Sequence, residues 1–359
     1  MNAVLFTSLL YHLQPDSSIL RSPHVLMQAL YDLRVASDQG YLSWFQKQPE
    51  FHRFVIPDLE FQNRSYDHLS VINVGVDYAY GNVDKKLWAS AIRWIEIYYE
   101  YSIEYIVGRI NEKFRELSHG EISSFMDTSQ YNYYWYISLF SMVTFKPIWM
   151  FGFTKFHTCV FFDKDRTNKR INFMQTPDLT LGYAKFHDFT VVELPLKNNL
   201  YSLLVLLPID ELNIDQYVTS LDTVKLIEIY ENLEPTNITV ILPMNTFTDW
   251  HYAKNMFMAS SNFGRPFHEY LYRPITDQKP RPLDEIVQKL KVVFDTNGVE
   301  NVTNFESLEN RKIFIASTPF WFLLVERRLN VILMTGQIKR PGKEMYELKP
   351  SNSCPNGIF

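Results

Sequence analysis

The chain has 359 residues, 46% hydrophobic, 16% aromatic and 21% charged, with a formal net charge of −5 and a pI near 6.0. That balance supports a packed core rich in Phe and Tyr, provides no basic stripe for nucleic acid, and contains no apolar run near the ~20 residues that a membrane-spanning helix needs. Neither nucleic acid nor a membrane is an expected partner, and a monomer is expected.

The N-terminal "AVLFTSLLYHL" reads either as the apolar core of a leader or as an amphipathic helix stopped before Pro15. The helix reading is favoured, because the stretch has no basic flank and no small-x-small cleavage site. "PHVLMQALYDL" repeats the three- and four-residue apolar spacing, with Pro23 at a helix start. "DQGYLSWFQKQ" is a third, shorter helical candidate, "HLSVINVGVDYAY" has strand character, and "KKLWASAIRWIEIYYEY" returns to helical period. "IVGRINEKFRELSHG" is an amphipathic helix with Gly120 placed to end it. From Tyr131 the pattern turns to β, in "YWYISLFSMVTF", "TCVFF", "TVVELPL", "YSLLVLLP" and "ITVILP". "IDQYVTSLDTVKLIEIYENL" and "HYAKNMFMASSNF" read as helical interruptions. Three strand-like runs close the chain, "VQKLKVVF", "FWFLLVER" and "NVILMTGQI". Helices first and strands later predict an α+β protein without a doubly wound sheet. One domain is expected over residues 1–341, with residues 342–359 as a loose C-terminal extension.

Side chains that carry chemistry are sparse. "GQIKRPGKE" has the wrong glycine spacing for a phosphate loop, and Glu stands where Ser or Thr should hold magnesium. No Gly-x-Ser-x-Gly elbow, His-Glu-x-x-His helix or Cys-x-x-Cys pair occurs, and the nine histidines are scattered among aromatics. Neither an enzyme nor a metal or cofactor site is expected. Cys159 and Cys354 do not make a disulfide framework; they either pair or stay free. Sequons at Asn63, Asn237 and Asn301 favour an extracellular, secreted glycoprotein, with a cytoplasmic location as the alternative.

Several stretches, in order, resemble the serpin family. "SILRSPHVLMQAL" resembles its early Ser-Pro followed by a helix. "VGRINEKFRELSHGEISSFM" resembles the helix and turn that precede a central strand. "SLFSMVTFKPIWMFGF" resembles that strand, with Phe145, Lys146 and Trp149 kept. "NFMQ" with "FTVVELPLKNNLYSLLVLLP" resembles the next β segment. "TPFWFLLVERRLNVILMTGQIKRP" resembles the C-terminal signature, with Pro319, Phe320, Gly336 and Pro341 in place. The resemblance implies a serpin fold of three β-sheets and about eight or nine helices, with an exposed reactive loop at about residues 298–318. It also implies a serine protease as partner and a role in the regulation of proteolysis. In inhibitory members a protease cleaves the loop, whose front half then inserts as a strand into the large sheet.

The resemblance places the hinge at Gly298, Val299, Glu300, Asn301, Val302, Thr303, Asn304 and Phe305. Gly298 and Glu300 match the inhibitory pattern, but the run of small residues that should follow is replaced. Burying an unpartnered Asn costs about 1–3 kcal/mol, and forcing Phe305 into a slot for a small side chain costs about 1–3 kcal/mol more. A glycan on Asn301 would sit on the inserting strand. The sheet-opening cluster is expected at Ser22, Val25, Ser141 and Gln288, with only the serine at position 22 in agreement with the family. Thr296 stands where an acidic residue is usual, which should loosen the top of the sheet. The family's spacing from the hinge glycine implies a bait at about Arg311, Lys312 and Ile313, which suits a trypsin-like protease. The span from Gly298 to Pro319 is about four residues shorter than usual in the family, which leaves little chain for a protease to grip. The expectation is a weak or non-inhibitory serpin. The alternatives are a suicide inhibitor of a trypsin-like protease and a secreted binding or carrier protein.

Overall fold

The computed structural model of the chain describes residues 18–26, 69–72, 76–77, 94–95, 102–132, 135, 138–162, 168–197, 199–209, 214, 223–258, 264–269, 282–296, 298, 312–327 and 331–340. In chain order the strands are β1 (Ile19–Arg21), β2 (Leu69–Ile72), β3 (Val76–Asp77), β4 (Trp94–Ile95), β5 (Ser138–Phe145), β6 (Thr154–Phe162), β7 (Asn168–Gln175) and β8 (Leu179–Lys185). They continue as β9 (Phe189–Pro195), β10 (Tyr201–Pro208), β11 (Glu234–Pro243), β12 (Asn245–Tyr252), β13 (Glu285–Phe294), β14 (Lys312–Ile315), β15 (Phe320–Glu326) and β16 (Val331–Ile338). The named helices are α1 (Ile103–Leu117), α2 (Thr223–Glu231), α3 (Lys254–Met258) and α4 (Arg265–His268).

These strands form three sheets among the described residues, as the sequence leads one to expect. One has ten strands in the order β1-β16-β15-β10-β9-β8-β11-β7-β6, with β14 attached to β11. A second runs β12-β13-β5-β2, and a third is the pair β3-β4. The expected helix count falls largely on residues outside the described set. The chain divides into two compact units, one of residues 1–23, 145–249 and 292–359, the other of residues 24–144 and 250–291.

In the first unit, β9, β10 and β15 read as near-continuous apolar runs because strands buried on both faces have no polar side to show. Their antiparallel register sets Leu203 opposite Leu194 and Leu324, and Val205 opposite Val192 and Phe322. Val191, Leu204, Leu206, Leu323 and Val325 pack there with Ile229 of α2. Gly336 of β16 lies opposite Phe322, and a Cβ at this position would overlap the Phe322 ring, so the strand interior holds glycine. The sheet also joins the two ends of the chain. β1 pairs with β16, and the Ser18 hydroxyl accepts from the Lys339 and Arg340 amides at 3.0 and 2.9 Å. Arg21, almost fully buried, pairs with Asp249, which also accepts from the Leu20 amide at 2.9 Å.

In the second unit, α1 starts at Ser102, whose hydroxyl accepts from the Tyr105 amide at 3.3 Å. It ends in a Schellman motif: His119 N–H donates to Glu116 O at 3.1 Å, and Gly120 N–H to Arg115 O at 2.8 Å. His119 and Gly120 both take positive φ, at 50° and 86°. The apolar face of α1, Ile106, Ile110 and Phe114, packs with Phe125, Phe140, Met142 and Val287. The Phe114 and Phe125 rings stack at 4.0 Å. Asn111 fixes the turn that follows by accepting from the Phe125 and Met126 amides at 2.7 and 2.9 Å and donating to Met126 O at 2.9 Å.

Three elements differ from the sequence reading. "HYA" has helical spacing, yet β12 runs through Tyr252, and Ala253 N–H donates to Ile286 O at 2.7 Å. Pairing with the neighbouring chain outweighs local propensity there. Trp94–Ile95 lies in a stretch of helical period but pairs in parallel with β3. Lys312–Ile315, read as the end of a polar loop, is strand β14.

Candidate functional site

β5 and β13 are immediate neighbours, so the sheet that would receive an added strand is closed. All eight residues of β5 are buried, including the polar Ser138, Ser141 and Thr144. Between the two strands the Gln288 side-chain amide meets the Ser141 hydroxyl at 3.5 Å, at the limit of a hydrogen bond. The cluster residues Ser22, Val25, Ser141 and Gln288 are each no more than 1% exposed. Ser22 donates to Leu333 O at 2.6 Å. From β13, Lys289 reaches Ser124 O, and Lys291 binds Glu121 through both its carbonyl and its carboxylate at 2.8 Å. Widening the gap between β5 and β13 has to carry these contacts along or break them.

The end of β13 is tied to the segment that follows β5. Lys146 pairs with Asp295 at 3.1 Å, and the buried Trp149 indole donates to Asp295 O at 2.9 Å. Trp149 forms a parallel bridge with Gly298 and an antiparallel bridge with Leu196. Its ring lies 4.9 Å from Phe153 and 6.2 Å from Phe294. Gly298 meets the backbone of Phe151 and Gly152 so closely that a Cβ would fall 2.5 Å from Gly152 Cα and 2.8 Å from its nitrogen. Asp295, one position before Thr296, is thus held by Lys146 through its carboxylate and by Trp149 through its carbonyl. Lys146 and Trp149 of "FKPIW" were singled out in the sequence, but their partner Asp295 was not. Gly152 carried no sequence signal, because a backbone approach needs no side chain.

The remaining hinge residues Val299, Glu300, Asn301, Val302, Thr303, Asn304 and Phe305 lie outside the described residues, as do Arg311, Asn63 and the tail after Arg340. Lys312 and Ile313 open β14, which pairs in parallel with β11 from Ile238↔Lys312 to Ile241↔Ile315. The Lys312 ammonium stands 3.6 Å from the centre of the Tyr183 ring on β8. Asn237 is exposed on β11 and accepts from the Thr180 hydroxyl at 2.6 Å. Cys159, buried on β6, is disulfide-bonded. No group of His, Cys, Asp and Glu suited to a metal ion occurs among the described residues.

Thirteen residues of sequence separate Gly298, which bridges to Trp149, from Lys312, the first residue of β14. The family model described as Serpin (serine protease inhibitor) matches residues 99–341. The chain belongs to the serpin family. It is 25% identical over 234 residues to a protein of Aedes aegypti described as an FXa-directed anticoagulant, a match covering 64% of this chain and 56% of that relative's length. It is 23% identical over 350 residues to Serpin B5 of Xenopus tropicalis, covering 90% and 92% of the two chains. Among solved structures, SRPN18 from Anopheles gambiae superposes with a TM-score of 0.79 at 18% identity, over 95% of this chain and 97% of that one. Uncleaved ovalbumin gives 0.79 at 18% identity, over 94% and 98%.

Proposed function

We propose that this chain is a weak or non-inhibitory serpin that meets a serine protease through residues 298–318 as a slow substrate or competitor. The observation that carries this reading is the closed β5–β13 pair, with every residue of β5 buried. A strand entering between them is flanked on both sides by packed residues. It alternates Val299, Asn301, Thr303 and Phe305 on one face with Glu300, Val302, Asn304 and Glu306 on the other. The two asparagines, the Phe and the charges each raise the barrier to insertion. Insertion competes with deacylation of the bound protease, so a barrier favours release over trapping.

The second reading, a working suicide inhibitor, is favoured by the FXa-directed relative. Incubation with proteases of basic and of apolar specificity, followed by denaturing electrophoresis, separates the two. The weak or non-inhibitory reading is abandoned if a covalent complex forms near unit stoichiometry. A large gain in thermal stability after loop cleavage would show that the strand still inserts. The reading also includes an extracellular setting, supported by the disulfide at Cys159 and by the exposed Asn237. A mobility shift on glycosidase treatment of protein from its natural source tests that.

A further inference from the structure

Gly298 sits at the margin of a three-chain ribbon whose middle is Trp149, bridged to Gly298 on one side and to Leu196 on the other. On the Leu196 side the main chain is held twice. Met150 N–H donates to Pro195 O at 3.1 Å, and Lys197 N–H to Ile148 O at 3.0 Å. Leu196 opens the turn between β9 and β10 and is buried, but Lys197, Asn199 and Leu200 of the same turn are exposed. Apolar burial therefore fixes only the near end of this turn. Its far end is fixed by Arg327, the residue after β15. Arg327 N–H donates to Leu200 O at 2.8 Å, and its guanidinium donates to the Asn199 side-chain oxygen. Asn199 takes a φ of 54°, a left-handed conformation that asparagine tolerates through hydrogen bonds of its short side chain.

A second nitrogen of the same guanidinium, Nε, lies 3.2 Å from Glu193 Oε1 on β9. The Glu193 side chain is only 12% exposed, and burial followed by its charge pushes the Tyr230 hydroxyl of α2 above the usual range. Arg327 is thus the counter-charge of an enclosed carboxylate, which anchors the inner side of the fork. We propose that Arg327 is a positioning residue for the hinge: its fork pins the exposed end of the 196–200 turn to β9, the turn braces Trp149, and Trp149 holds Gly298. A lysine keeps the charge but brings one nitrogen, which cannot replace two nitrogens placed on different acceptors. This assignment rests on the reading of Gly298 as the hinge of the loop that a protease meets. Its test uses no protease, so a covalent trap that ended the weak-inhibitor reading would leave the result standing.

The full folded chain is labelled with fluorotryptophan, the Trp149 resonance is assigned by its loss in Trp149→Phe, and amide hydrogen exchange is followed in parallel. Arg327→Met keeps the apolar stem and removes the fork. It is expected to speed exchange of the Met150 and Lys197 amides about fivefold, the upper range for a partly exposed ion pair, and to shift or split the Trp149 resonance. Arg327→Lys is expected to stay faster than wild type. The amides of Leu204 and Leu323, deeper in the same sheet, are expected to keep their rates. Unchanged exchange at Met150 and Lys197 overturns the proposal, and so does full rescue by lysine, which would reduce the effect to charge. Equal acceleration at Leu204 and Leu323 would make Arg327 a general stabiliser and overturns it too. So does an unmoved Trp149 resonance beside a loosened turn.

Discussion

Replacing Gly298 by Ala tests whether the hinge is held by backbone contact. The added Cβ would lie 2.5 Å from Gly152 Cα, 2.8 Å from Gly152 N and 3.0 Å from the Phe151 carbonyl carbon. The shortest of these is about 1 Å inside ordinary van der Waals separation, and every neighbour is main chain, with no flexible side chain to swing aside. Either segment 149–152 shifts, at about 1–3 kcal/mol for an overpacked site, or Gly298 leaves its bridge with Trp149. Urea unfolding followed by tryptophan emission reads the first outcome. The second is read as faster nicking of the loop, about fivefold for each 1 kcal/mol lost. Gly182→Ala is the control, because its Cβ would approach only side chains, Glu193 at 3.3 Å and Leu233 at 3.6 Å, and a change within about 0.5 kcal/mol is expected. If Gly298→Ala matched wild type in both midpoint and nicking rate, the backbone clamp would be wrong.

Gly108→Ala in α1 meets nothing within 4 Å and replaces the poorest ordinary helix former, so urea unfolding should show a gain of about 0.5–1 kcal/mol. Asn111→Ala leaves two amides and a carbonyl of the 125–126 turn without their partner, at about 2–4 kcal/mol; Asn111→Asp keeps the two amide contacts and should cost less. Burial pushes the Glu285 carboxyl up to about 7, against the lowering effect of its bonds from the Lys254 and Ile286 amides. A folded-state value above the unfolded one means that the folded chain holds the extra proton. Stability is therefore full below about pH 4.5 and falls by about 3 kcal/mol as pH rises to about 7. Unfolding midpoints across that window should lose this slope in Glu285→Gln, which keeps the acceptor oxygen.

Where a residue's role is set by its own apolar pattern, the sequence was readable. "YSLLVLLP" and "FWFLLVER" are strands because their centres, "LLVLL" and "FWFLLV", run apolar without a break, and Ile106, Ile110 and Phe114 mark the buried face of α1 by spacing alone. Where a role depends on a distant backbone, it was not. "KIFI" became a strand through β11, which precedes it by about seventy residues, and "HYA" was drawn into β12 by pairing that its own helical spacing opposed. The clamp at Gly298 followed the same rule. The glycine was recognisable, but its partner Gly152 is distinguished by position and not by chemistry.

The pairing of β1 with β16 ties residue 19 to residue 337, and a ribosome delivers these strands more than three hundred residues apart. Until β16 emerges, the Ile19–Arg21 edge and the outer edge of β15 both lack their neighbour. The nascent chain must therefore wait, with an apolar sheet uncapped at one margin, until β16 has been made. Contacts of such long sequence separation form late and slowly, and an unsatisfied strand edge recruits other chains in the interval. A premature stop before Val331 would consequently act as more than a small deletion, yielding a chain that presents an open edge to its neighbours throughout its life in the cell.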